Sequence, residues 1–187
     1  VYDRVMKSGK IRCGYVVWPG SVEINLETGE KYGMSVEYMN AIGRELGLNI
    51  EWVEEVGWGS FAEGLRSNRF DLVCSSLWKS GQRAKSGLLT RTLFYQNMFA
   101  MGRIDETRFV QTWDSMNQEN ITIAVLDGDI TQAIKQQRFA KTKELAIPSD
   151  MAGSQYLLSV AVGKADLTFS GLDSFEQYNT NAKKKLK

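Results

Sequence analysis

The chain has 187 residues, 43% of them hydrophobic and 24% charged, with a net charge of +1. That is enough chain for a sizeable core in one domain or two small lobes, and no global field favours nucleic acid or an anionic membrane surface. There is no histidine, which removes the commonest general base and zinc ligand, and with them Ser-His-Asp and Cys-His nucleophilic schemes.

The start, VYDRVMKSGK, is amphipathic and lacks the apolar core of a signal peptide. Residues 11–17 form a strand candidate with Cys13, Tyr15 and Val17 on one face. Trp18-Pro19-Gly20 then breaks it, and turn chemistry follows around Glu27-Thr28-Gly29-Glu30. Over residues 34–46 the period changes. Val36, Met39, Ile42 and Leu46 recur every three or four residues, with Ser35 placed to cap the start and Gly47 the end of a helix. Residues 48–53 read as the next strand. Ser60-Phe61-Ala62-Glu63 is a capping-box pattern opening a short helix that ends near Asn68, and residues 72–77 give a third strand. Strand and helix in alternation predict a parallel sheet with right-handed crossovers.

A second series follows the extended apolar stretch at 94–101 and the charged turn at 103–108. It comprises a strand at 121–126, a turn at Asp127-Gly128-Asp129, a helix over 131–139 and a short strand at 145–147. A helix capped by Ser154 and closed by Gly163 precedes a last strand at 165–169. The class is therefore α/β, in two lobes, and no internal repeat stands out. Lys183, Lys184, Lys185 and Lys187 read as a solvated basic terminus. No run approaches the roughly 20 apolar residues needed to span a bilayer.

The stretch most suggestive of chemistry is NRFDLVCSSLWKSGQR at 68–83. It reads as a buried strand running into a loop with two serines, a tryptophan and an arginine, a combination suited to a small anionic or zwitterionic molecule. Arginine presents a planar fork of donors that a carboxylate accepts in pairs. Cys13 and Cys74 lie in apolar runs far apart in sequence, too few for a structural zinc site. The favoured reading is two buried thiols acting as small hydrophobes. A disulfide stays open if their strands are neighbours in one parallel sheet, a demanding geometry.

KIRCGYVVWPG at 10–20, TGEKYGMSVEYMNAIGRELGLNIEWVE at 28–54, WGSFAEGLRSNRFDLVCSSL at 58–77 with Arg83, and VGKADLTFSG at 162–171 together resemble the type 2 periplasmic solute-binding proteins, specifically extracellular solute-binding protein family 3. The resemblance runs over essentially the whole chain. It implies a two-lobed periplasmic-binding-protein-like clamshell, with lobe one at 1–94 and lobe two at 95–187. Such proteins capture a small solute between the lobes, often an amino acid, and deliver it to the membrane permease of an ABC importer. They are periplasmic or extracellular, some anchored to a membrane, and need no cofactor or metal.

The resemblance also assigns residues. Arg83 matches the arginine that grips a ligand carboxylate, and Ser76 a position whose backbone and side chain meet the same group. Trp58 matches an aromatic that stacks on the ligand. Trp78 stands where a small hydroxyl residue is usual, and Trp18 lies in the expected roof of the site. In lobe two an aspartate usually follows the last strand, where this chain has Ser170 and Gly171. Asp127-Gly128-Asp129-Ile130-Thr131 replaces a glycine- and hydroxyl-rich anion cradle, so Asp127 or Asp129 either caps the helix or meets a cationic group of the ligand, and Asp129 and Thr131 are the candidate ligand residues here. The expected solute is amino-acid-like or amine-bearing.

The chain stops at Lys187, about where a return crossing to lobe one is expected. Lobe one is therefore expected to lack its last segment and to be open to self-association. The same fold serves as the sensing domain of membrane receptors and, in some relatives, as a dehydratase. No carboxylate pair here is placed convincingly for that chemistry, so binding without turnover is the expectation.

Overall fold

The computed structural model describes residues 1–109, 112–149, 151 and 154–187. The chain divides into two compact units, Val1–Arg91 and Thr92–Lys187.

Unit 1 contains α1 (Tyr2–Ser8), β1 (Lys10–Tyr15), β2 (Glu23–Ile24), β3 (Lys31–Tyr32), α2 (Met34–Leu46), β4 (Asn49–Glu55), α3 (Phe61–Arg66), β5 (Leu72–Val73) and α4 (Gly81–Ala84). Its main sheet is parallel with order β4-β1-β5, and β2 pairs antiparallel with β3 as a small hairpin. The apolar stripe of α2 meets β1 and β4: Met39 packs with Val5, Ile11, Cys13 and Cys74, and Val36 with Tyr15 and Val22. Gly47 closes α2 in the left-handed conformation at φ 64°.

Several local expectations fail for identifiable reasons. Ser35 lies inside the first turn of α2 and the cap position is Gly33. Ser35 instead turns its hydroxyl towards Ser21 and Ser76. The capping box at Ser60 and Glu63 does not form: Ser60 Oγ accepts from the Gly57 N–H and donates to the Gly57 carbonyl. β5 is two residues long rather than six because the serines after it bond elsewhere. Ser75 Oγ both accepts from Val16 N–H and donates to Val16 C=O, at 2.8 and 2.9 Å, as a strand's backbone would.

The two cysteines are not free thiols. Cys13 in β1 and Cys74 just past β5 form a disulfide, with 5.4 Å between their Cα atoms. The parallel β1–β5 pairing, Cys13 opposite Leu72 and Gly14 opposite Val73, brings the residues within bridging range and overturns the reading of them as small hydrophobes.

Phe70 seats α3 against this sheet. Its ring is 1% exposed, and a methyl group added at Gly64 in α3 would lie 2.1 Å from it, and one at Gly14 in β1 2.7 Å. Backbone on both sides must lack side chains for the ring to fit. Gly64→Ala therefore overpacks the site, and a loss of about 2 kcal/mol is expected in denaturant unfolding. An unchanged midpoint would show that Phe70 can move aside.

Unit 2 contains β6 (Phe99–Gly102), α5 (Trp113–Met116), β7 (Thr122–Leu126), α6 (Ile130–Arg138), β8 (Lys143–Ile147), α7 (Gln155–Ala161), β9 (Leu167–Ser170) and α8 (Leu172–Asn181). The sheet order is β6-β9-β7-β8, with β6 antiparallel to β9 and the other pairs parallel. Its core joins Ile121, Ile123, Val125, Phe139, Leu167 and Phe169, with the Phe139 and Phe169 rings stacked at 5.1 Å. Ser154 precedes α7 without a side-chain cap. The basic terminus is more than solvated chain: Leu186 is buried, and Lys187 exchanges backbone hydrogen bonds with Gly102 beside β6.

A short repeat relates the two units after all. Asp71-Leu72-Val73-Cys74-Ser75-Ser76-Leu77 and Asp166-Leu167-Thr168-Phe169-Ser170-Gly171-Leu172 share Asp-Leu at the start, a serine at the fifth place and leucine at the seventh. Each aspartate does the same work. Asp71 accepts from the Arg12 N–H at 2.8 Å, and its own N–H donates to the Arg12 carbonyl. Asp166 repeats this with Thr122, also at 2.8 Å. Both are held by two arginines, Arg4 and Arg12 in unit 1 and Arg103 and Arg108 in unit 2. Burial alone would raise the Asp71 carboxyl. The hydrogen bonds from Arg12 and the charges of Arg12 and Arg4 outweigh it and leave Asp71 below its ordinary value.

In unit 2 the same arginines also bind Glu106. Hydrogen bonds from Arg108 hold Glu106 down to about 2, against the opposing effect of burial. A carboxylate depressed in the folded state stabilises above its unfolded pKa and loses that contribution as pH falls through the folded one. The Glu106 contribution is therefore present above about pH 4.5 and drains away towards pH 2. Allowing for solvent around the half-exposed Arg108, it is worth about 2 kcal/mol. Unfolding at pH 5.5 and 2.5 should show a steeper acid loss for the wild type than for Glu106→Gln. Equal losses would mean that Glu106 does not carry it.

Candidate functional site

The residues singled out in unit 1 gather at the carboxyl ends of β1 and β5, where parallel α/β sheets hold ligands. β1 leads into the loop carrying Trp18, β4 into the loop carrying Trp58, and β5 into the segment with Ser76, Trp78 and Arg83. The N–H of Arg83 bonds to Ser80 Oγ at the start of α4.

Arg83 is 7% exposed. Its guanidinium lies 5.4 Å from the Trp58 ring centre and 5.7 Å from that of Phe61, and one terminal N–H donates to the Trp78 carbonyl at 2.9 Å. Trp18 meets Trp58 edge-on, with ring centres 5.7 Å apart and planes at 71°. The side chain of Trp58 is thus flanked by a cation and a second indole. Its own indole N–H is buried and finds no hydrogen-bond partner among the described residues.

Arg83, Trp58 and Trp18 come together, then, while Trp78 contributes its carbonyl and is half-buried. Phe61, beneath the guanidinium, gave no sign in the sequence beyond its place at the start of α3. Ser76 is half-buried, and both its N–H and its hydroxyl bond to Ser35.

In unit 2, Asp129 caps α6 by accepting from the Thr131 N–H at 3.2 Å. The Thr131 hydroxyl accepts from the Leu126 N–H at 3.0 Å and is 2% exposed. Ser170, 1% exposed, shares a hydrogen bond of 3.0 Å with the Tyr156 hydroxyl and donates to the Gly171 carbonyl. Burial pushes the Tyr156 hydroxyl up to about 12; the Ser170 hydrogen bond opposes this and the Asp129 charge adds to it. Tyr156 therefore stays protonated as a donor at any ordinary pH. Beside Gly171, where a side chain would collide with Gln96, the Gln96 amide donates to Asp173 at 3.1 Å. Among the described residues, no group of three or more His, Cys, Asp or Glu could hold a metal ion.

Residues 19–147 match the family model of the bacterial extracellular solute-binding proteins, family 3. The chain belongs to that family. Members of family 3 bind solutes outside the cytoplasm, and the mixed α/β fold agrees with the two-lobed periplasmic amino-acid-binding proteins among solved structures. One is an ancestral amino acid-binding protein, a precursor of cyclohexadienyl dehydratase, at 20% identity and TM-score 0.80, covering 95% of this chain and 77% of that one. Another is the holo form of ArgBP from T. maritima, at 17% identity and TM-score 0.78, covering 95% and 76%. A third is an amino acid ABC transporter substrate-binding protein from Streptococcus pneumoniae bound to L-arginine, at 13% identity and TM-score 0.80, covering 98% and 77%. The chain thus spans about three quarters of each. No curated protein matches it by sequence. Among the described residues no helix of this family 3 chain is long and apolar enough to cross a membrane.

Proposed function

We propose that this family 3 protein captures a small amino-acid-like or amine-bearing solute and delivers it to the membrane permease of an ABC importer. The observation that carries the reading is the cluster of Arg83, Trp58, Phe61 and Trp18, in which a buried guanidinium lies within one aromatic surround. Arg83 takes the carboxylate of the solute, with Ser76 as a second donor. Trp58, Trp18 and Trp78 supply apolar and cation–π surface. In unit 2 the residues we propose to meet the rest of the solute are Asp129, which caps α6, with Thr131 and Ser170. The solved relative bound to L-arginine makes cationic amino acids the first class to try.

Thermal unfolding against a panel of amino acids, polyamines and other small amines tests this. Stabilisation should rise with ligand concentration, as binding to the folded state alone requires. A panel that leaves the transition unmoved removes the capture reading. Release of a product at enzymatic rates would replace it with a dehydratase-like one.

A further inference from the structure

Three serine hydroxyls in unit 1 form a closed cluster. Ser21 Oγ lies 2.8 Å from Ser35 Oγ, and Ser35 Oγ lies 2.9 Å from Ser76 Oγ. The Ser76 N–H is shared between Ser35 Oγ at 3.1 Å and Ser21 Oγ at 3.2 Å. Ser21 and Ser35 are each 5% exposed, whereas Ser76 is half-buried. Each hydroxyl has one proton to place, and the two O···O contacts use two of the three.

The arrangements can be enumerated. If Ser76 donates to Ser35 and Ser35 to Ser21, the Ser21 proton is left in the interior without an acceptor among the described residues. If Ser21 and Ser76 both donate to Ser35, the Ser35 proton is stranded in the same way. Stranding a buried donor costs the full desolvation of that group. Only the order Ser21 to Ser35 to Ser76 gives every buried proton an acceptor. It leaves the third proton on Ser76, the member nearest the surface of the site.

We infer that Ser35, backed by Ser21, is a positioning residue that fixes the Ser76 hydroxyl as a donor to the carboxylate of the solute. This rests on the capture reading above. Ser76 Oγ accepts from Ser35, so its own O–H must look outward, and the chain of hydroxyls polarises it further. A group oriented in this way suits an acceptor such as a carboxylate and is wasted on an ammonium. Two residues on, the Trp78 carbonyl holds Arg83, so the same short segment presents the guanidinium and the hydroxyl together. Ser21 lies in the loop that carries Trp18, whose carbonyl receives the Ser21 N–H, and the cluster ties that loop to the same segment.

Titration calorimetry of the full chain with the panel's best amino acid, L-arginine first, and with its carboxamide tests the assignment. Ser35→Ala should weaken the amino acid about tenfold, the scale of one hydrogen bond to a charged group, and the carboxamide by less than about threefold. Ser21→Ala should weaken the amino acid less than Ser35→Ala does, because Ser35 can still donate to Ser76. Equal losses for both probes would mean a merely structural role and overturn the inference, as would unchanged affinity. Should Ser35→Ala fail to fold, Ser76→Ala reads the same donor and must show the same carboxylate-selective loss. A wild-type chain that binds no member of the panel defeats the capture reading itself. A wild-type chain that binds while Ser35→Ala binds equally well defeats only the serine relay.

Discussion

Replacing Cys13 and Cys74 together by alanine is expected to lower stability by about 4 kcal/mol, the chain-entropy value for a disulfide closing a long loop. The bond joins residues 61 apart in sequence, so without it the unfolded chain recovers the freedom of about two thirds of unit 1. Both sulfurs sit in the core beside Val5, Ile11 and Met39, and alanine also forfeits part of that packing. A drop of about 10 °C in the unfolding midpoint follows for a protein of this size. Denaturant unfolding of the oxidised protein, the reduced protein and the double variant measures it. Reduction should reproduce most of the loss seen in the variant. A double variant within about 1 kcal/mol of the oxidised wild type would show the bond to be thermodynamically idle.

Arg83→Ala should abolish measurable capture of the stabilising solute, with an affinity loss of at least about a hundredfold. A buried guanidinium that meets a carboxylate cannot be replaced by water in a site walled by Trp58 and Phe61. Arg83→Lys keeps the charge but not the fork of donors, and a loss of about tenfold is expected from it. Calorimetry gives the affinities, and thermal unfolding of the unliganded variants separates binding from packing. If Arg83→Ala bound the solute as the wild type does, the carboxylate would have to be held elsewhere and the reading of this cluster would be wrong.

Much of the frame was legible because long amphipathic elements leave a strong period. α2 falls at Met34–Leu46, where its apolar spacing and Gly47 place it, and β7 begins one residue from its expected start. What the sequence hid was decided by side chains bonding to backbone or to one another. Serines carry no periodic signal, so nothing marked Ser75 as the group that ends β5 early, or Ser35 as a hub rather than a cap. The hairpin of β2 and β3 was missed because each strand is only two residues long. The Asp71 and Asp166 repeat escaped notice for a related reason. Its conserved job, bonding the neighbouring strand's backbone, lies in the pairing and is invisible in a linear string.

In the candidate site, arginine and aromatic residues announced themselves by type, and the resemblance gave them order. Their mutual arrangement was not readable. Trp58 was expected to stack on the ligand, and its ring lies beside Arg83 and edge-on to Trp18. Nor did any pattern single out Phe61 or Tyr156, which act through burial.

The contact between Arg83 and Trp58 has an optical consequence. A cation held against an indole perturbs its excited state, and an indole at a second indole's edge exchanges energy with it. Any solute that draws the guanidinium towards a carboxylate alters the first of these couplings. Of the five tryptophans, the pair at 18 and 58 would therefore make the unlabelled protein a sensor of its own occupancy.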